Sequence, residues 1–460
     1  METIYRRGHE IAWLEPFEVK LMVGAGGNER ENRTAVLNLQ RCFVAGPMSK
    51  PSLPNVLDLT PLNPEFNRDP HALLDRLRAE RPVRRDTQAG TFILTRYADV
   101  RAVLADTSLW RDPAKAEPAA YLAKRMSDEP IQVEAEGDET AGRSILLLDD
   151  PDHARIRNPL AKAMYRRVAR CRPLVEQVVG EMLARIDAPS RFDVMTKFAR
   201  LLPIDVIARI LGVDETRRAE FRDWSEDVIL TLNPFRTEEQ TRRLDAAATA
   251  LAACMMDLIA ARRGEPRDDL VSDMVALQAA GTPIKDQELA VNLMALLVGG
   301  NITTTDLIGN AIYHLLKNPD QLAKLRADPS LINSAVEEVL RFEGPVDATA
   351  RIASRDMEVR GCPVKQTQSM TIWLRSANHD PDVFPDPHRF DITRKDAPHV
   401  AFGGGAHLCI GAPLARLEAQ MALPAFFARF PNLRLAEPTA APHWRSLPFF
   451  RGLEELIVEA

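Results

Sequence analysis

A mainly α fold with small β regions, organised as one large domain, is what this 460-residue chain predicts. Three observations point there. Residues 151–277 interleave apolar and charged positions at helical spacing almost throughout, and residues 287–317 carry the longest unbroken helical pattern. No internal repeat and no Gly/Ser-rich linker divides the chain, although its length alone allows about three domains. The balance of 59 Lys+Arg against 65 Asp+Glu, net charge −6, argues against a general nucleic-acid binder, which needs a basic surplus to neutralise phosphates. Five cysteines (Cys42, Cys171, Cys254, Cys362, Cys409) are scattered and odd in number. They predict no disulfide framework, favour a reducing cytoplasm, and leave room for one ligand or nucleophile.

Residues 1–47 hold no apolar stretch of the kind a signal peptide needs, and GAGGNERENRT is polar and turn-rich. Two readings stand: residues 1–47 lie upstream of a natural start at Met48, or they form a peripheral N-terminal extension, with the domain proper spanning 48–460. Mass spectrometry of the native chain separates them. No run of about 18 apolar residues supports a membrane span; the nearest, 289–300, is broken by Asn292. Regular elements begin with a helix over 70–81, then a hairpin over 83–95 around Gln88-Ala89-Gly90, then a short helix over 97–106. Residues 110–148 lose periodicity and read as a long irregular loop, the kind that forms lids and binding loops. Breaks within the helical middle are expected at Pro203, Gly212, Asn233-Pro234 and Gly264-Glu265-Pro266.

The long helix, expected to stop at Asn318-Pro319, reads LLVGGNITTTD at its centre. Gly costs about 1 kcal/mol against Ala inside a helix and β-branched Thr is mildly unfavourable, so Gly299, Gly300, Thr303, Thr304 and Thr305 need a reason. Either another helix packs closely on the glycines, or a bulky ligand lies there and the hydroxyls reach into it. Residues 402–411 read FGGGAHLCIG. Adjacent glycines let a loop turn sharply and approach a flat ligand, and a helix predicted over 412–426, with Pro413 in its first turn, offers backbone N–H groups to a thiolate. A structural cysteine beside a glycine turn is the competing reading. C-x-x-C and C-x-x-C-H are both absent, so haem held by a single thiolate is the metal reading that the residues support best.

At these residues the chain resembles the cytochrome P450 family, and its soluble bacterial type in particular. The haem-binding signature F-G-x-G-x-H-x-C-x-G is matched by Phe402, Gly403, Gly405, His407, Cys409 and Gly411. Glu338-Val339-Leu340-Arg341 matches the family's E-x-x-R motif, with Glu and Arg on one helical face, and FPDPHRF follows it. The resemblance covers about residue 54 to the end. It implies a single large helical domain with haem b between the long central helix and the Cys409 loop, and a buried Glu338/Arg341 network joined by Arg389. It places haem propionate contacts at His153, Arg157, Arg351 and His407, with Phe402, Gly403, Gly411 and Gly300 also against the haem.

The family's central-helix pattern A/G-G-x-D/E-T falls on Gly299, Gly300, Asn301, Ile302 and Thr303, so the threonine is present and the acid is replaced by Ile302. Isoleucine relays no proton. Asp306, one turn on, is the expected substitute, acting with Thr303 and Thr304; Asn301, a substrate hydroxyl or external peroxide are the other routes. By the same resemblance the substrate pocket draws on 110–148, on 224–235, on Leu296 to Thr303, on Val346 to Thr349, and on Phe449 with Phe450. The mostly apolar lining suits a terpenoid, steroid, fatty acid or small aromatic. The implied activity is a haem-thiolate monooxygenase, monomeric and cytoplasmic, using O2 and electrons from NAD(P)H through a ferredoxin reductase and a two-iron ferredoxin. The chain itself shows no dinucleotide fingerprint or iron–sulfur cysteine cluster. The rivals are a peroxide-driven or non-oxygenating haem-thiolate enzyme and a haem-based sensor.

Overall fold

The structure is a computed structural model that describes residues 53–120, 142–186, 191–233, 235–395 and 397–460. The boundary expected near Met48, and Cys42, lie outside the described residues.

The predicted helix over 70–81 runs His71–Glu80 and the one over 97–106 runs Tyr97–Ala105. Between them the hairpin forms as β1 (Val83–Asp86) and β2 (Thr91–Leu94). Gly90 turns it at φ +64°, where a Cβ would stand 1.9 Å from the Ala119 carbonyl oxygen. The hairpin does not stand alone. β2 runs parallel to β7 (Ser369–Trp373), which pairs antiparallel with β4 (Ala348–Ile352), giving the order β1-β2-β7-β4. Met357–Val359 and Cys362–Val364 form the separate β5–β6 hairpin.

The helical middle departs from expectation at residues 169–171, where an unexpected break separates Asp152–Val168 from Arg172–Ala184, and around Pro203. Pro203 does not break a helix; it sits in the first turn of Leu201–Leu211, where a missing N–H costs nothing. The break comes earlier, at β3 (Arg191–Asp193) and a π-helical turn over Met195–Ala199. β3 pairs with β9 (Ile457–Glu459), which also pairs with β8 (Arg434–Leu435). A three-residue strand with one buried side chain leaves no periodic signal to read. Gly212 ends Leu201–Leu211 at φ +89°, and the later breaks fall at Asn233 and Glu265 as expected.

The central helix spans Asp286–Lys317. It is unbroken through the glycines and threonines and crosses the apolar core, with Leu293, Leu297, Ile308, Ala311, Ile312 and Leu315 buried. Asn318 caps it by donating from its side-chain amide to the His314 carbonyl at 2.8 Å, and Pro319 prevents continuation. Asn292, which interrupts the apolar run, accepts from the Ile145 amide at 2.8 Å and donates to the Glu288 carbonyl at 2.7 Å. It therefore pins the end of the 110–148 loop onto the helix. By length and composition Glu238–Gly264 and Asp286–Lys317 could each cross a membrane, but 78% of the apolar window of the second is buried inside the protein. Ala412–Arg429 packs on the central helix and on Arg172–Ala184, and so sets the Cys409 loop against the core.

Candidate functional site

The loop carrying Cys409 is shaped by its glycines in two different ways. Gly403 (φ +72°) and Gly405 (φ +66°) adopt the left-handed backbone that only glycine takes without cost. A Cβ on Gly405 would lie 2.2 Å from the Leu104 carbonyl oxygen, and one on Gly404 would lie 3.2 Å from Leu104 Cβ. Those two glycines thus permit close approach to the helix Tyr97–Ala105, not to a ligand. Gly403 meets nothing nearer than 3.9 Å and lines a cavity of about 240 Å³ together with Phe402, His407, Cys409 and Gly411. The Cys409 amide donates to the Phe402 carbonyl at 3.0 Å. Burial pushes the Cys409 thiol up, while the Gly411 and Ala412 amides and the Arg157 and Arg416 guanidiniums favour its thiolate. Arg416 lies over the Phe402 ring at 4.5 Å and is held by Glu337 at 2.6 and 2.8 Å.

The central helix forms another wall of the same cavity through Leu296, Gly299, Gly300, Thr303 and Thr304. A Cβ on Gly299 or Gly300 would meet nothing within 4 Å, so helix packing does not explain them. They open the wall. The Thr303 hydroxyl donates to the Gly299 carbonyl at 2.7 Å and its oxygen remains free to accept. Asp306 does not take the place of the absent acid: it is fully buried, lies outside the cavity lining, and pairs with Arg445 at 2.9 and 3.2 Å. Burial still raises its carboxyl to about 6 against the pull of Arg445. Three residues on from Thr303 a helical side chain points only about 60° away around the axis, and here that offset is enough to bring Asp306 against Gly452. Asn301 and Ile302 are buried and also absent from the cavity lining.

A concentration of positive and imidazole groups closes one side. Arg157 donates to the Leu408 carbonyl; Arg351 donates to the Ala350 carbonyl at 2.8 Å and the Gly404 carbonyl at 3.3 Å. The His153 and His407 rings pack at 4.2 Å between centroids, tilted by 36°. Arg111, which the sequence reading did not single out, lines the cavity beside them and donates to Thr349 Oγ1 at 2.5 Å. Burial and Arg111 lower the Arg351 guanidinium to about 9, and burial with Arg111, His153, Arg351 and Arg157 lowers His407 to about 2. The acids at the edge are engaged or distant: Asp149 takes Lys115 at 2.8 Å and the Arg111 amide at 2.6 Å, and Asp150 lies 3.5 Å from His153. His153 Nε2 is buried without a hydrogen-bond partner. Three arginines and His407 around one cavity, with the orphaned His153 nitrogen on the ring packed against His407, fit a bound dianion such as the two propionates of haem. With Cys409 and the open glycine wall on the same cavity, the residues present fit the group.

Glu338 and Arg341 pair bidentately at 2.8 and 2.8 Å, and Arg341 also donates to the Asn378 and Pro387 carbonyls at 3.0 and 2.9 Å. Arg389 does not join this network. Its side chain is 63% exposed and faces Asp391 at 3.7 Å, whereas Arg394, 13% exposed, stands 3.3 Å from Glu338. Arg389 contributes only its backbone carbonyl, which accepts from Arg341 at 3.3 Å. Glu418 was also not anticipated. It lines the cavity with Gly411, Leu414 and Ala415, at helical spacing from Gly411, and burial with no opposing charge raises its carboxyl well above the usual range.

A second cavity of about 320 Å³ shares Arg111, Leu146, Gly299, Thr303, Val346, Thr349 and Arg351 with the first. Phe449 and Phe450 line it, as does Val298. Of the loop expected to contribute, Arg111, Pro113, Ala120 and residues 145–147 reach one or both cavities, and 121–141 lie outside the described residues. Of residues 224–235, Leu232 alone among those described does so.

A family model described as cytochrome P450 matches residues 119–434. The chain is 38% identical to cytochrome P450 107B1 of Saccharopolyspora erythraea over 407 residues, covering 88% of this chain and 98% of that protein. It is also 38% identical over 411 residues to the cytochrome P450 monooxygenase PikC of Streptomyces venezuelae, covering 88% and 94%. Among solved structures, P450BioI in complex with acyl carrier protein ligated to hexadec-9Z-enoic acid matches with a TM-score of 0.76 and 32% identity, over 86% of this chain and all of that one.

Proposed function

The chain belongs to the cytochrome P450 family, and from that premise we propose how this monooxygenase holds its haem, handles protons and receives electrons. Haem b bound through a cysteine thiolate supplies the activation of O2 and the insertion of one oxygen atom into a C–H bond of a small organic substrate. Cys409 is the ligand; Arg111, Arg157, Arg351, His153 and His407 hold the propionates. The observation that carries this reading is the convergence of Arg111, Arg157, Arg351, His407 and Cys409 on one cavity, with the His153 ring packed against His407. The glycine wall accepts the flat ring, and Phe402 flanks the cysteine.

Substrate occupies the second cavity, beside Val346, Thr349 and Phe449 and reaching towards Leu296 of the first, and its lining favours a hydrophobic molecule: a terpenoid, steroid, fatty acid or small aromatic. Thr303 lines both cavities and accepts a hydrogen bond at its hydroxyl oxygen while its own hydrogen is held by the Gly299 carbonyl. The protein excludes bulk water by folding residues 145–147 over the helix through Asn292. Electrons come from NAD(P)H through a ferredoxin reductase and a two-iron ferredoxin. Lys162, Arg166 and Arg170 support that docking: they are exposed at four-residue intervals along and just beyond the helix Asp152–Val168, whose Arg157 grips Leu408 beside Cys409. Four free thiols among the described residues fit a monomer working in the cytoplasm.

One observation favours a second reading, peroxide-driven turnover: Ile302 brings no acid, and Asp306 is engaged elsewhere. Turnover with ferredoxin, reductase and NADH, compared with hydrogen peroxide alone, tests the two. Product in the first assay is the expected result; product with peroxide only overturns the electron-transfer reading, and ligand-induced spectral shifts without product in either favour a sensor.

A further inference from the structure

We propose that His71, His379 and His388 form a divalent-metal site of zinc type, separate from the haem cavity and completed by water on its exposed side. One ring nitrogen of each lies within 4.8 Å of the others. The rings pack at 4.2, 5.0 and 5.3 Å between centroids. The hydrogen bonds fix which nitrogens carry lone pairs. His379 Nδ1 lies 3.0 Å from the Arg375 carbonyl oxygen, which only accepts, so Nδ1 carries the hydrogen and Nε2 the lone pair. His379 is fully buried, and that Nε2 has no hydrogen-bond partner. His71 Nδ1 is likewise buried and unpartnered. His388 Nε2 lies 2.7 Å from the Asp75 carboxylate, which leaves Nδ1 as its ligand atom.

A histidine that donates one ring hydrogen to a carbonyl or carboxylate and turns its other nitrogen inward is the arrangement that orients imidazole ligands in metal sites. Tetrahedral zinc with Zn–N near 2.0–2.1 Å requires nitrogens about 3.3 Å apart, so the cluster must contract. His388, 46% exposed, has the freedom to do so. The neighbouring cations are matched by acids: Arg375 by Glu343 at 2.6 Å and by Asp347, Arg451 by Glu343 at 3.1 Å, and Arg341 by Glu338. A metal here would tie three distant segments together: the start of the helix His71–Glu80, the end of Leu374–Asn378, and the FPDPHRF turn.

The test uses the full-length haem-loaded protein without a polyhistidine tag, stripped with a chelator and titrated calorimetrically with zinc chloride. One zinc per chain is expected, with an anomalous diffraction peak between the three rings and a rise in melting temperature. His388→Ala, at an exposed position, should weaken binding at least tenfold and abolish the thermal shift. Asp75→Asn should weaken binding about 10–100-fold. The reduced, carbon-monoxide-bound spectrum should be unchanged in both variants, which confirms intact fold and haem. No binding at micromolar zinc, a peak elsewhere, or equal affinity in His388→Ala would overturn the proposal.

Discussion

Thr303 and Asp306 show how far one turn of helix separates roles. Thr303 faces both cavities, whereas Asp306 is sealed against Arg445 and Gly452. Thr303→Ala is therefore expected to lower product formed per O2 consumed by at least about tenfold. Asp306→Asn should leave that ratio unchanged while lowering the unfolding midpoint, because it leaves Arg445 facing a neutral partner. Coupling assays on the two variants check both. Glu418 gives a pH prediction. Its folded carboxyl titrates well above its unfolded value, so between the two the native state binds the extra proton and stability falls as pH rises. Glu418→Gln removes that loss: it should be more stable than the parent at pH 7, and the gain should shrink towards pH 4, as denaturant midpoints would show. The Cys409 residues were legible in the sequence because ten consecutive positions constrain one loop. Arg111 and Glu418 were not, because an arginine in an aperiodic loop and a glutamate on a helix look like ordinary solvated charges until burial is known.

Elements brought together by loop folding were the least legible. The E-x-x-R pair lies within one helix, so its spacing alone puts both groups on one face. Its third member comes from a turn whose path no spacing fixes, and the structure selects Arg394 where Arg389 was expected. Arg394→Gln should destabilise by about 1–3 kcal/mol, since Glu338 and three backbone carbonyls lose a donor group. Arg389→Gln should stay within about 0.5 kcal/mol of the parent. Chemical denaturation of the two variants decides between them. At Gly405 the left-handed backbone and the Leu104 carbonyl both oppose a side chain, so Gly405→Ala should cost more than about 1 kcal/mol and loosen the Cys409 loop, read as faster haem loss.

Across the whole molecule, long helices were legible from periodicity and the β1–β2 hairpin from its turn, while the parallel pairing of β2 with β7 and the three-residue β3 were not. Those contacts join residues far apart in the chain, and nothing local encodes them. The same long-range folding sets the cation cluster and the cysteine on one cavity. On the outer face, charge reversal at Lys162 and Arg166 should raise the KM for ferredoxin without changing peroxide-supported turnover or substrate-induced spectral shifts. The central claim is that Cys409 ligates haem as a thiolate in that cavity. The reduced, carbon-monoxide-bound absorption spectrum tests it most directly. The parent protein should show the thiolate-type Soret band and Cys409→Ser should lose it; absence of the band in the parent, or its retention in the variant, would contradict the account.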